Sequence, residues 1–243
     1  MIQQAIEGGV ATLALDRPEA RNALNMEMCE TLFSNLKAVA EDSNIRVVFI
    51  RGNGPVFCGG ADLKERTGKS QEWIRARRMK AFAAYEAIEA LPMPCIALVH
   101  GAVIGSGIEI AAACDFVVSM PNASFMTPEV QRGTVGATQR LPRVLGKRLA
   151  KDMMYTGRAL TAQEAREAGF VTRISSDLDK AKAELAAAIL KAAPLPMRLA
   201  KRCIDRGVEL DPQGAREVEI EAIEEQLASG SFMGRSASTP SSS

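Results

Sequence analysis

Two short runs in the first hundred residues, Val47-Val48-Phe49-Ile50 and Cys95-Ile96-Ala97-Leu98-Val99, are apolar at every position. A strand without a polar face is covered on both sides, so each run must lie inside layers of other structure. The segments between them supply those layers. Leu24, Met28, Leu32 and Leu36 fall at helical spacing through Val39, and a second helix spans about Gln71 to Ala90, closed by Pro92 and Pro94.

Upstream, Val10 to Leu15 alternates as a strand leaving a hairpin after Gly8-Gly9 and stops at Asp16-Arg17-Pro18. A third helix begins near Gly107 and runs through Ala113. Phe116-Val117-Val118-Ser119 and Ala123-Ser124-Phe125-Met126 flank Pro121-Asn122 and read as a hairpin. From Leu141 onward the pattern is almost wholly helical. The sequence therefore predicts an α/β core with a helical C-terminal part. The 243 residues, 47% of them hydrophobic, are enough for one large core.

Charge and cysteine content narrow the function classes. Thirty Lys and Arg nearly balance 29 Asp and Glu, so no overall field draws the chain to nucleic acid or an anionic membrane. Five cysteines without C-x-x-C spacing fit reduced thiols better than disulfides or a zinc site. The first residues lack a basic leader, and no run approaches the about 18 apolar residues of a membrane span. The expectation is a cytoplasmic protein.

Glu109 is the most unusual residue, because its helix, Gly107-Ile108-Glu109-Ile110-Ala111-Ala112-Ala113, is otherwise small or apolar. A buried carboxyl has a raised pKa and can exchange protons with a substrate. Equally, Ser106-x-x-Glu109 has the form of a capping box. Glu129 follows Thr127-Pro128, which reads as N-cap and N1 of a helical turn, where acidic residues are common for the dipole alone. The expected hairpin between them allows both carboxyls to face one pocket. Phe57-Cys58-Gly59-Gly60-Ala61-Asp62-Leu63 and Gly105-Ser106-Gly107 are glycine bends that can each leave a backbone N–H free, and two such donors aimed at one point stabilise an oxyanion.

Other features point elsewhere. His100 is the only histidine, so a three-histidine metal site is impossible; it reads as capping a strand end. Arg75, Arg77, Arg78 and Lys80, beside Trp73, read as a solvated helix face, with phosphate or RNA as alternative partners. Gly105-x-Gly107 lacks the third glycine of a dinucleotide fingerprint.

Taken in order, Asp16-Arg17-Pro18 with Arg21-Asn22-Ala23-Leu24, the Phe57 to Leu63 segment, Gly101 to Asp115, Pro128-Glu129 and Thr138-Gln139-Arg140-Leu141 resemble the crotonase signature set, that of the enoyl-CoA hydratase/isomerase family. The likeness runs from about residue 8 to 225. It implies a spiral of strand-strand-helix turns over about residues 1–190, then helices over 191–229 that mediate a homotrimer or dimer of trimers; residues 230–243 are expected to be a disordered tail. It also implies an acyl-CoA thioester substrate, with CoA part of the substrate and no separate cofactor or metal. By the same matching, the N–H groups of Ala61 and Ser106 form an oxyanion hole, and Glu109 and Glu129 are the catalytic pair of a 2-enoyl-CoA hydratase. Substrate contacts are implied at Arg21, Ala23, Gly60, Asp62, Leu63, Gly105 and Gly136. Met79, Phe82 and Ala83 are expected to line the acyl pocket.

The segment from Glu129 to Thr138 is about three residues shorter than is usual in the family's hydratases. A Δ3-Δ2-enoyl-CoA isomerase, another crotonase-type acyl-CoA enzyme, and a non-catalytic CoA- or RNA-binding protein on the same fold are the alternatives.

Overall fold

The computed structural model describes residues 1–230, which form two compact units, one of residues 1–191 and one beginning at Ala192. The tail expected over 230–243 lies, beyond Gly230, outside the described residues.

The first unit opens with β1 (Ile2–Glu7) and β2 (Val10–Leu15), then α1 (Met26–Glu41), β3 (Val47–Gly52), α2 (Gln71–Glu89), β4 (Cys95–Val99), β5 (Ala102–Ile104) and α3 (Ser106–Ala113). It continues with β6 (Phe116–Ser119), β7 (Ser124–Met126), α4 (Arg140–Thr156), β8 (Leu160–Thr161), α5 (Ala162–Glu167), β9 (Arg173–Ile174) and α6 (Leu178–Leu190). The second unit contains α7 (Pro194–Gly207) and α8 (Pro212–Ala228). No helix among the described residues is long and apolar enough to cross a membrane.

Six strands make the larger sheet in the order β1-β2-β3-β4-β6-β9, antiparallel only between β1 and β2. The apolar runs have the explanation the sequence suggests. Val48, Ile50, Cys95, Ala97 and Val99 face the main core with Leu32, Leu36 and Tyr85, while Val47, Phe49, Ile96 and Leu98 face Leu178 and Leu185 of α6. Both faces of β3 and β4 are dry.

The hairpin expected between Phe116–Ser119 and Ala123–Met126 does not form. β6 pairs with β4 and β9 in the large sheet, whereas β7 pairs with β5 and β8 in a second, three-stranded sheet. Pro121-Asn122 carries the chain from one sheet to the other. The turns that begin at β4 and β6 thus place one strand in the large sheet, step to the small one and continue into a helix, whereas β2 and β3 lead to α1 and α2 with no strand in the small sheet. Strand β5, three residues long and directly after β4, leaves too little pattern to be read from sequence.

A buried side chain ties these turns together. Asn22, fully buried and at φ 53°, donates from Nδ2 to the carbonyls of Asn53 (2.8 Å) and Val56 (2.9 Å). Its Oδ1 accepts the Arg17 N–H at 2.8 Å. Asparagine tolerates this left-handed backbone better than most residues. On either side, Leu24 bridges Ala61 and Cys58 bridges Val103, both in parallel sense, so three loop segments run side by side.

Asn22→Leu keeps the branching of the side chain but strands these buried partners, each costing about 1–3 kcal/mol when left unpaired. The urea midpoint is expected to fall clearly below that of the parent. An unchanged midpoint would show that Asn22 does not hold the loops.

Candidate active site

Two segments supply backbone donors. Leu24 N–H donates to Gly60 O (2.7 Å) and Asp62 N–H to Leu24 O (2.9 Å), which leaves the Ala61 N–H between them facing away from that strand-like pair. Gly60 makes the bend at φ 104°, a region open to glycine alone. Cys58 N–H donates to Ala102 O (3.1 Å) and Ile104 N–H to Cys58 O (2.9 Å), which sets β5, and with it the start of α3, against the same segment. The N–H of Ser106 sits in the first turn of α3, where helical N–H groups have no partner within the helix. Among the described residues, neither the Ala61 nor the Ser106 N–H donates to a protein acceptor.

The parallel register of β5 and β7 brings the carboxyls together. Ile104 pairs with Met126, and Gly105 N–H donates to Met126 O at 3.0 Å, so α3 and the Thr127-Pro128-Glu129 segment leave the small sheet side by side. Two local expectations change here. Glu109 closes no capping box: Gly105, not Ser106, is the N-cap of α3, and no side chain caps it. The Glu109 carboxylate turns instead toward the following loop, where Oε1 accepts the Ala137 N–H (2.7 Å) and Oε2 accepts Arg140 Nη1 (3.3 Å). Nor does Thr127 cap a helix, since its hydroxyl is buried without a partner and Glu129 itself precedes a short 3₁₀ turn, Val130–Arg132.

Glu129 is held differently from Glu109. Its Oε2 is buried and unpaired, and burial, reinforced by the neighbouring Glu109 charge, raises its pKa. It reaches this position because Gly105 has no side chain. A Cβ on Gly105 would collide with Glu129 Oε1, and Gly105 sits at φ 49°, ψ −103°. Gly136 packs against the Glu129 stem from the other side.

Arg140 fixes the opposite wall. Its Nε and Nη2 each lie 2.7 Å from a Glu89 oxygen, Nη1 reaches Glu109, and the guanidinium stands 5.5 Å from the Tyr85 ring centre. Tyr85 is fully buried; desolvation pushes its phenol pKa well up, against a hydrogen bond with Ser106. Arg78 ties down the loop after Glu129, donating to Thr134 Oγ1 and to Val135 O (2.9 Å).

One cleft gathers these groups. Gly60, Ala61, Leu63, Gly105, Ser106, Glu109, Glu129 and Gly136 all line it. Arg21, Ala23 and Asp62 do not. Burial works against the ionised Asp62, but hydrogen bonds from Arg17 and from the Glu65 and Lys64 N–H groups hold its carboxyl below the usual range. Its place is in an ion pair with Arg17 at 2.6 Å.

On α2 the lining residues are Arg78, Ala81, Phe82 and Tyr85, at i, i+3, i+4 and i+7, with Arg77 beside them. Met79 and Ala83 therefore fall outside the lining, and Met79 is exposed. The helical period was the signal that separates Phe82 from them. The same lining corrects the reading of the basic stretch as one solvated face: Arg77 is buried and Arg78 half-buried, while Arg75 and Lys80 point outward. His100 Nε2 lies 2.8 Å from Gly54 O, away from the cleft. Cys58 borders the glycine bend, but burial pushes its thiol up to about 12, which leaves too little thiolate for a nucleophile.

The sequence pattern of the family described as Enoyl-CoA hydratase/isomerase matches residues 5–237. The chain is 35% identical to an enoyl-CoA hydratase of known structure from Bacillus anthracis, which superposes with a TM-score of 0.89 over 92% of this chain and 89% of that one. It is 38% identical over 213 residues to the human mitochondrial enoyl-CoA hydratase domain-containing protein 2, covering 84% of this chain and 73% of that protein. It is 35% identical over 235 residues to the enoyl-CoA isomerase/hydratase fer4 of Mycosarcoma maydis, covering 91% and 86%.

Two tests address the site's construction. Gly105→Ala combines a prohibited contact with backbone strain of about 1–3 kcal/mol, so it is expected to lower the melting temperature and displace Glu129. A crystal structure of the variant with Glu129 unmoved would contradict the packing described.

The second concerns charge. Because the Glu129 pKa is raised in the fold, stability from this group is present at low pH. It is lost as pH rises from the unfolded value, near 4.5, through the folded one. Relative to the parent, Glu129→Gln should gain in melting temperature between about pH 4 and about pH 8. A difference that stays constant across that range would contradict the pKa shift.

Proposed function

The chain belongs to the enoyl-CoA hydratase/isomerase, or crotonase, family, and on that premise we propose that it reversibly hydrates a 2-enoyl-CoA to a 3-hydroxyacyl-CoA. The observation that carries this reading is the pairing of Glu109 and Glu129 on one cleft in different states. Glu109 is oriented by two donors, whereas Glu129 is desolvated, has one unpaired oxygen and is raised in pKa. An acid and a base with distinct environments are what addition of water across a double bond requires.

In this mechanism the thioester oxygen lies between the Ala61 and Ser106 N–H groups. Glu109 takes a proton from water as the water oxygen bonds to Cβ. The Cα–Cβ π pair moves toward the carbonyl, and the resulting enolate oxygen is stabilised by the two N–H donors. The enolate collapses, Cα takes the proton of Glu129, and the product carries hydroxyl at Cβ and hydrogen at Cα. Glu109 ends protonated and Glu129 ionised, and the proton returns through solvent. In other enzymes one oxyanion donor is worth about 3 kcal/mol, comparable to the about 10²–10⁴-fold contribution of a positioned acid or base.

A double-bond isomerase is the second reading, favoured by the short and clamped segment after Glu129, since proton transfer between two carbons needs one carboxyl and no water site. For the assembly, the reading includes a homotrimer or dimer of trimers. The exposed apolar residues Ile204, Val208, Ile220, Ile223 and Leu227 on the C-terminal helices support self-association.

The test is loss of enoyl-thioester absorbance with crotonyl-CoA. The parent should be active, and Glu109→Gln and Glu129→Gln should each lose about 10²-fold or more in kcat. Survival of double-bond migration in Glu109→Gln, with no hydration by the parent, would replace the hydratase reading with the isomerase one.

A further inference from the structure

The cleft carries more positive charge than the proposed chemistry uses. Arg66, Arg77, Arg78 and Arg132 line it, against Glu109 and Glu129. Two of the four have evident roles, since Arg78 is committed to Thr134 and Val135 and Arg132 lies close enough to Glu129 to act on its charge. Arg77 is almost fully buried and donates to Leu24 O, yet its Nε is buried without an acceptor. The Arg66 side chain has neither a hydrogen-bond nor an ion-pair partner among the described residues, and its Nε is buried as well.

Glu65, the acid whose charge acts on Arg66, is engaged elsewhere. Both oxygens of Glu65 accept the Met26 N–H, at 2.8 and 3.0 Å. Burial, together with the neighbouring charges of Arg77 and Arg78, lowers the Arg66 pKa. Half-buried guanidinium groups that repel one another and lack an acceptor are costly, and a ligand that brings its own anion removes the cost.

We propose that Arg66, with Arg77 beside it, forms an anion subsite in the cleft, and that the preferred substrate is an acyl-CoA thioester whose acyl chain ends in a carboxylate. A planar guanidinium suits this role because it receives a carboxylate through two parallel N–H bonds. The phosphates of CoA are the other anions such a ligand carries. They are separated from the thioester by the whole pantetheine arm, whereas Arg66 and Arg77 line the same cleft as both glutamates. The geometry therefore favours the acyl carboxylate. The inference rests on the reading of this cleft as the acyl-thioester site.

The test is a binding titration with two saturated thioesters that cannot be hydrated, glutaryl-CoA and butyryl-CoA, and with the corresponding pantetheine thioesters, which lack the nucleotide phosphates. The parent should bind the glutaryl form about tenfold or more tightly in both series. That preference should shrink toward one in Arg66→Met and be partly kept in Arg66→Lys.

Equal binding of both thioesters by the parent overturns the subsite. Equal weakening of the two CoA thioesters by Arg66→Met, with the pantetheine forms unaffected, assigns Arg66 to a phosphate and overturns it too. Because the readout is binding, the two levels separate. Selective binding of glutaryl thioesters without hydration of any enoyl-CoA keeps the subsite and sinks the hydratase reading. Hydration of crotonyl-CoA without glutaryl preference does the reverse.

Discussion

The lateral contact of three loop segments, held by one buried amide, underlies everything else in the first unit. Asn22 joins the loop after β2 to the carbonyls at the end of β3, and the parallel bridges Leu24–Ala61 and Cys58–Val103 continue that contact into β5. Without it the Ala61 and Ser106 N–H groups, 45 residues apart in sequence (106 − 61), have no reason to share a cleft. The protein satisfies most of the buried backbone in these loops by pairing it laterally, which leaves the Ala61 and Ser106 N–H groups without a protein acceptor. That is also why glycine recurs here: Gly60 makes the bend, and Gly105 admits the carboxyl of Glu129.

The second level is electrostatic. Two carboxyls share a partly desolvated space, and the structure separates their environments by giving Glu109 the Ala137 and Arg140 donors. Ala137 and Arg140 serve Glu109, and Arg140 is in turn held by Glu89 and stacked near Tyr85, so its position does not depend on substrate. Glu129 keeps an unpaired oxygen and carries the consequence as a raised pKa. The segment after Glu129 takes part in this division, because Ala137 lies within it and Arg78 pins it from α2.

The fold class was legible because it depends on pattern. The unbroken apolar runs of β3 and β4 imply cover on both faces, and the helical spacing between them identifies that cover. The pairing of strands was not legible in the same way. β6 and β7 are separated by a proline-asparagine turn that suits a hairpin, and only the parallel partners β4 and β5 decide that they enter different sheets. The two glutamates nonetheless converge, through the β5–β7 register and not through a hairpin. Glu109 stood out as a carboxyl on an apolar helix, and Glu129 only through resemblance and placement. Arg66 was not singled out, and Arg140 entered only within the Thr138 to Leu141 match, since a lone arginine carries no periodic signal and its importance lies in which acceptors it finds or lacks.

In the proposed reaction, water adds across the double bond of an enoyl thioester in this cleft. Incubation of crotonyl-CoA with the protein in H₂¹⁸O and D₂O, followed by mass spectrometry and NMR of the thioester, tests it directly. The expected product is a 3-hydroxyacyl-CoA with one ¹⁸O at Cβ and one solvent-derived deuterium at Cα. Exchange or migration of hydrogen without incorporation of ¹⁸O would contradict it and leave the pair of glutamates without the water chemistry assigned to them.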